Sequence, residues 1–391
     1  MTGKNRLTLA IVAGEQSGEN LAVDLVEAVT RRTGEPPDLV GVGGHRLGEL
    51  GLESVFDPAE IAITGVSAVI ATLPRLILRI QQTTRAIINA RPDAVVFVDS
   101  PDFSHRVGQR VREALPDTPL IKYVAPTVWA WRPDRARKMG AAFDHVLAIL
   151  PFEPEVMRQL SGPETHYVGH PLAIDPKLAA VWAERQQDGG RADRNRFRLV
   201  VLPGSRRGEV SSLLPDFEAA VDLLHERGND IAIDIPTLPR LEREIRNRTA
   251  SWRVAPRITT TPDEKLEAFR NADVALAASG TVVLELALAG VPVISCYRTD
   301  PLMKPFLSLI TTWSAALPNI ISDRPIVPEY INEMIRPGML ARRIEELVAE
   351  DSIAATLQRR GFADVRDIMM VDTPPGEKAA EIVLNAIGKM A

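Results

Sequence analysis

Cysteine is almost absent: Cys296 stands alone in 391 residues, so no disulfide can form within the chain, and a reducing compartment fits. No apolar run reaches the roughly eighteen residues that a membrane-spanning helix needs. The 6 histidines come without a cysteine cluster, so no metal site is expected. A G-x-G-x-x-G loop with a downstream acid is missing, which argues against a dehydrogenase. No short-period repeat suggests a solenoid. The net charge of −5 offers no general attraction to nucleic acid or to an anionic surface, so any such contact must be a local patch. Leu7–Ala13 is apolar but short, and the acidic stretch after it is no cleavage site. It reads as a first strand rather than a signal peptide, and a cytoplasmic protein is expected.

What is present is a hydrophobic content of 45%, enough for two cores in a chain of this length. Leu7–Ala13, Leu39–Val42, Ala94–Val98, Leu120–Val124 and His145–Leu150 read as buried parallel strands. Leu199–Leu202, Ile231–Ile235, Val274–Ala278 and Val291–Cys296 repeat the pattern. Longer helical patterns separate them. The fold class expected is α/β, with two Rossmann-like doubly wound domains facing across a cleft. The first domain is expected over 1–173, a charged Gln- and Gly-containing linker over 174–195, and the second domain over 196–391 with closing helices. Open α/β sheets bind ligands beyond the carboxyl ends of their strands, so the loops there are the candidate sites.

In the first half, Gly14, Glu15, Ser17 and Gly18 leave the first strand and open a helix. Glycine permits close backbone approach, but Glu15 and Glu19 disfavour a pyrophosphate, so Glu15 suits sugar hydroxyls. The structural alternative is a tight turn with Ser17 as the helix cap. Gly43-Gly44-His45 reads as a structural turn. Asp99 ends a strand of apolar residues, where a carboxylate can serve as general base to a hydroxyl, and Asp102 suits a helix cap. Trp129 and Trp131 are either core or the wall of an acceptor site. His170, next to the linker, is either a donor or acid, or a structural hydrogen-bonding group.

In the second half, Gly204, Ser205 and Arg206 follow a strand, and the guanidinium can take phosphate oxygens bidentately. Glu209 is placed to pair with Arg206 or Arg207. Ser279, Gly280 and Thr281 lead from a strand into a helix whose N-terminus favours a diphosphate. Glu285, a turn later, suits a ribose diol. Neither a Walker lysine nor a metal is needed.

These segments resemble the lipid-A-disaccharide synthase family, inverting two-domain GT-B glycosyltransferases. The resemblance runs in order through Ala13–Gly18, Gly41–Gly44, Asp99–Phe103, Val128–Trp131, Leu150–Glu153, Gly169–Pro171, Leu202–Arg206, Ser279–Thr281 and Leu317–Asn319. Ser104, Ala68 and His45 depart from the pattern, where Asn, Glu and Pro are usual. The resemblance implies a UDP-2,3-diacylglucosamine donor, a 2,3-diacylglucosamine 1-phosphate acceptor, a β-1,6 product, no cofactor and no nucleic-acid partner. It further implies peripheral contact with the cytoplasmic face of the inner membrane and a homodimer through the C-terminal helices. Asp99 is then the base, Arg206 with Ser279, Gly280 and Thr281 stabilises the leaving diphosphate, and Glu15 and Asn319 match positions tied to activity.

Acylated substrates require a membrane-facing patch. An apolar helical stripe that includes Val69, Leu73 and Ile77, with Arg75, Arg79 and Arg85 nearby, is one candidate. Pro301–Leu307, with Leu302, Lys304 and Phe306, is another; core packing is the alternative for the far end of the first. Two rivals remain at this point: a UDP-sugar 2-epimerase on the same plan, and a non-catalytic membrane-bound nucleotide-sugar sensor.

Overall fold

The apolar runs become the central strands of two parallel sheets. The computed structural model describes residues 6–61, 66–187, 196–299 and 309–388, with the side chains of 66–72 outside that description. The first sheet contains β1 (Thr8–Ala13), β2 (Asp38–Val42), β3 (Glu53–Ser54), β4 (Ala94–Val98), β5 (Leu120–Tyr123), β6 (His145–Ala148) and β7 (Glu164–Tyr167). The second contains β8 (Arg196–Leu202), β9 (Asp230–Pro236), β10 (Arg257–Thr259), β11 (Val274–Ala278), β12 (Val293–Tyr297) and β13 (Glu329–Ile331). The strand orders are β3-β2-β1-β4-β5-β6-β7 and β10-β9-β8-β11-β12-β13. Every residue of β1, β4 and β11 is buried, because helices cover both faces. Both sheets are doubly wound and Rossmann-like, as the sequence led us to expect.

The domain limits differ from expectation. The compact units are Met1–His170 with Val371–Ala391, and Pro171–Met370. Helix Pro375–Ala386 therefore belongs with the first unit, not the second. It packs on helix Gln16–Thr33: Ala379, Ala380 and Val383 join Leu21 and Leu25 in one core, and Glu377 accepts from Arg31 and Arg32, each at 2.8 Å. Its periodicity reveals an apolar face but not which surface covers that face. The expected linker is also corrected. Helix Pro176–Gln187 occupies most of it, with Leu178 and Val181 buried. Its Arg185 donates to the carbonyls of Phe269, Arg270 and Ala272, so the segment is part of the second unit.

Helix Val66–Ala90 divides along its length. Ile80 and Ile87 are buried in the first core, whereas Leu73, Ile77 and Leu78 are 44%, 45% and 48% exposed. Arg79 meets Glu60 at 2.6 Å and lies over the Phe56 ring. Val69 falls on the part of the helix whose side chains are outside the described residues, and Leu302 and Phe306 lie outside them altogether. Among the described residues, no helix is long and apolar enough to cross a membrane.

Candidate active site

In a doubly wound sheet the ligand crevice opens where the strand order reverses. In the first sheet that point lies between β1 and β4, whose ends are level, with Ala13 paired to Val98. The residues that follow are Gly14 and Glu15 on one side, Asp99 and Ser100 on the other. A Cβ on Gly14 would lie 2.8 Å from Ser100 Oγ and 3.0 Å from Ile61, so glycine lets the two loops touch. Gly18, in the next helical turn, faces Asp99. Glu15 is exposed and is the N-terminal flanking residue of helix Gln16–Thr33; Ser17 lies inside that helix and is not its cap. A cavity of about 510 Å³ is lined by Gly14, Glu15, Gln16, Gly44, His45 and Asp57. Glu19 also lines this cavity, and its carboxylate accepts from Leu47 N at 3.0 Å, at the start of the helix after Gly44.

Asp99 and Ser100 are both left-handed, at φ 51° and 47°. Each such non-glycine residue costs about 1–2 kcal/mol, less for Asp, and persists only where the surroundings hold it. The surroundings here are specific. Asp99 N donates to Tyr123 O at 3.0 Å. Asp99 O accepts from the Ser104 hydroxyl at 2.7 Å and from the Lys122 ammonium. Lys122 also reaches Phe97 O at 3.5 Å and Ser104 Oγ at 3.4 Å. Lys122 lies fully buried inside β5, and burial pulls its ammonium down to about 7. Ser104, one of the departures from the family pattern, is thus a support beneath the Asp99 loop. Sequence reading missed Lys122, although a lysine inside an otherwise apolar strand was the available signal. Asp102 was expected to cap the next helix, but Ser100 takes the flanking position and Asp102 instead pairs with Arg135 at 2.7 Å.

Trp129 packs edge-on against Phe152, with ring centroids 5.4 Å apart, and lies beside the buried Glu153, whose carboxyl burial pushes up to about 8. Those contacts favour a packing role for Trp129 over an acceptor wall. His170 is 7% exposed, and burial lowers its ring to about 4, so at neutral pH it is uncharged and no cationic acid.

The second sheet reverses between β8 and β11. Gly204, Ser205 and Arg206 follow β8; Ser279, Gly280 and Thr281 follow β11. Glu209 fills the first loop: it accepts from Ser205 N at 2.9 Å and Arg206 N at 3.1 Å, and pairs with the Arg206 guanidinium at 3.4 Å. Gly204, at φ 121°, has no room for a Cβ, which would sit 2.4 Å from Glu209. Arg206 remains mostly exposed, and Arg207 turns to Glu244. Helix Thr281–Leu288 starts at the switch point, with Gly280 and Thr281 exposed. Glu285 pairs with Lys265 at 2.6 Å. Ser279 donates to Ala315 O at 2.9 Å, tying its loop to the 315 segment.

Asn319 stands apart from the other expected residues. It is 1% exposed, and its amide is committed: Nδ2 donates to Val327 O at 3.0 Å and Glu329 Oε2 at 3.2 Å, while Oδ1 accepts from Val327 N at 2.7 Å. Glu329 also accepts from Ala315 N at 2.9 Å and from the Ser314 hydroxyl. Asn319 is thereby linked through Glu329 and Ala315 to the Ser279 loop. Glu329 was invisible in the sequence because it lies on the short edge strand β13.

Where β6 and β7 pair, register gathers His145, Glu164 and His166. Glu164 lies 3.3 Å from His145 Nδ1 and 3.7 Å from His166 Nε2. These ligating atoms are close enough to hold a metal ion, which linear spacing did not foresee; the carboxylate already contacts both rings.

A profile described as lipid-A-disaccharide synthetase matches residues 9–370. A lipid-A-disaccharide synthase of Rhodopseudomonas palustris strain HaA2 is 41% identical over 97% of this chain and 96% of its own. One from Rhodospirillum centenum is 42% identical over 98% and 95%. Among solved structures, the UDP-GlcNAc 2-epimerase of Neisseria meningitidis bound to UDP-GlcNAc superposes with a TM-score of 0.59 at 10% identity, covering 98% of this chain and 100% of that one. That likeness concerns fold alone.

Proposed function

The chain belongs to the lipid-A-disaccharide synthase family, and on that premise we propose that it joins UDP-2,3-diacylglucosamine to 2,3-diacylglucosamine 1-phosphate. The product is the β-1,6 disaccharide 1-phosphate, with UDP released. The observation that carries this reading is Asp99, a carboxylate on a strained, doubly supported loop at the switch point of the first sheet. Strain of that kind is retained where geometry serves chemistry.

Acceptor activation falls to the first unit. Asp99 accepts the proton of the acceptor 6-hydroxyl as its oxygen attacks the anomeric carbon from the side opposite UDP. One C–O bond forms and the bond to the diphosphate breaks, inverting the centre; Asp99 then gives the proton to water. Gly14, Glu15 and Ser17 supply backbone and side-chain groups for sugar hydroxyls. Donor recognition falls to the second unit. The N-terminus of helix Thr281–Leu288, with Ser279, Gly280 and Thr281, meets the developing negative charge of the diphosphate, and the exposed Arg206 closes on it. Glu285 orients the ribose while Lys265 keeps its carboxylate in place.

UDP release by the purified protein tests this directly. Release is expected only when donor and acceptor are both present, together with a disaccharide product. Epimerised UDP-sugar without acceptor would replace the transferase reading with the epimerase one, and binding without turnover would favour the sensor.

Acylated substrates support a peripheral position on the cytoplasmic face of the inner membrane. Leu73, Ile77 and Leu78, exposed together beside Arg75, suit the headgroup interface. Leu73→Ser with Ile77→Ser is expected to weaken sedimentation with anionic vesicles severalfold while far-UV circular dichroism stays unchanged. Undiminished vesicle binding would remove this helix as the anchor.

A further inference from the structure

Beside the Asp99 loop, helix Pro101–Ala114 and helix Asp134–Met139 enclose a pocket of about 350 Å³. Its lining is rich in hydrogen-bond donors: His105, Arg106, Lys122, Arg135 and Lys138 line it, with Asp102 as the acid among them. Asp102 is already neutralised by Arg135 at 2.7 Å. Arg106 and Lys138 form no ion pair among the described residues, so their charge is uncompensated by the protein.

His105 adds a directional donor. Its Nδ1 is buried without a hydrogen-bond partner. A buried lone pair left unmatched is tolerated better than a buried N–H. The proton therefore belongs on Nε2, the ring nitrogen left open. Burial first, and then the nearby Arg135 charge, lower the ring's proton affinity, so the neutral imidazole offers that single N–H. Phe143 and Met139 supply an apolar wall, where charge-assisted hydrogen bonds gain strength.

We propose that this pocket seats the phosphate monoester of the acceptor, held by Arg106, Lys138 and the His105 Nε2–H. A phosphate monoester accepts hydrogen bonds through all its terminal oxygens and carries the charge these cations lack. The position fits the chemistry: Pro101 and Asp102 continue directly from Asp99-Ser100, and Lys122 both lines the pocket and holds Asp99 O. A sugar carrying its phosphate at one end and the attacking hydroxyl at the other is thereby oriented toward the base. The inference rests on the glycosyl-transfer reading given above and adds to it the feature that selects a 1-phosphorylated acceptor over an unphosphorylated one.

The test uses the full chain and Arg106→Ala/Lys138→Ala, both on exposed side chains, with two readouts. In steady-state transfer, the acceptor KM is expected to rise at least about tenfold, with donor KM little changed. With 2,3-diacylglucosamine lacking the phosphate, the unmodified protein and the variant are expected to perform alike. Equal losses with both acceptors, or an acceptor KM within twofold of the unmodified protein, would overturn the proposal. The second readout needs no turnover: ³¹P line broadening of glucosamine 1-phosphate by the full chain, expected to disappear in the variant. Broadening that is lost in the variant, in a protein without transferase activity, would keep the phosphate seat while removing the glycosyl-transfer reading. Equal broadening in both proteins, or none in either, would remove the seat itself.

Discussion

Asp99→Asn is expected to lower kcat by about 10³-fold, within the range a positioned general base contributes, while KM for both substrates stays within a few-fold. Asparagine isolates the chemistry. It is one of the few residues that tolerate positive φ, so the backbone at φ 51° is preserved while the proton acceptor is lost. The Ser104 and Lys122 bonds go to the Asp99 carbonyl rather than to its carboxylate, so they survive the substitution. Thermal denaturation should therefore be almost unchanged. Turnover within tenfold of the unmodified enzyme would show that another group takes the proton.

The second large effect concerns a residue that need not touch substrate. Lys122→Met keeps most of the side-chain volume and removes the ammonium that holds Phe97 O, Asp99 O and Ser104 Oγ. With one support gone from beneath two left-handed residues, the Asp99 carboxylate shifts, and misplacement by about 1 Å can cost on the order of 100-fold in rate. The loss should appear in kcat rather than in either KM, and a variant as active as the unmodified enzyme would show that Ser104 suffices. Stability supplies an independent readout. Lys122 is lowered from 10.5 to about 7 in the folded protein. Below about pH 7 both folded and unfolded chains carry the proton. Between about 7 and 10.5 the unfolded chain keeps it and the folded chain does not, so unfolding takes up a proton and stability rises with pH across that window. Denaturation at pH 6.5 and pH 9 should show the unmodified protein gaining on Lys122→Met by the higher pH. A difference that does not change with pH would mean that the ammonium titrates as it would in water.

How far the sequence could be read follows from burial. The central strands β1, β4, β8 and β11 declared themselves because both of their faces are covered and apolar residues must fill them. The edge strands β3, β7, β10 and β13 were missed: half-exposed segments such as Glu164–Tyr167 carry polar residues and no apolar run. Asp99, Ser100, Gly204 and Ser279 were legible as loop residues because each lies within two residues of the end of a buried strand. Asn319 was also found, but its role was not, since only its neighbours show that both ends of the amide are occupied by Val327 and Glu329.

Composition, strand-and-helix rhythm and ordered motifs by themselves determined the α/β class, the two-unit plan and the family. These features are local or nearly so, and burial leaves its mark on each run of residues. Tertiary structure alone decided which unit the last helix completes, and that 176–187 is a packed helix rather than a linker. It also brought Lys122 beneath Asp99, and His105 and Arg106 beside Arg135 and Lys138. The reason is physical: an apolar helix face or a buried charge states what it needs, a cover or a partner, without stating where along the chain that partner lies. Only strand order and register bring the distant segments together.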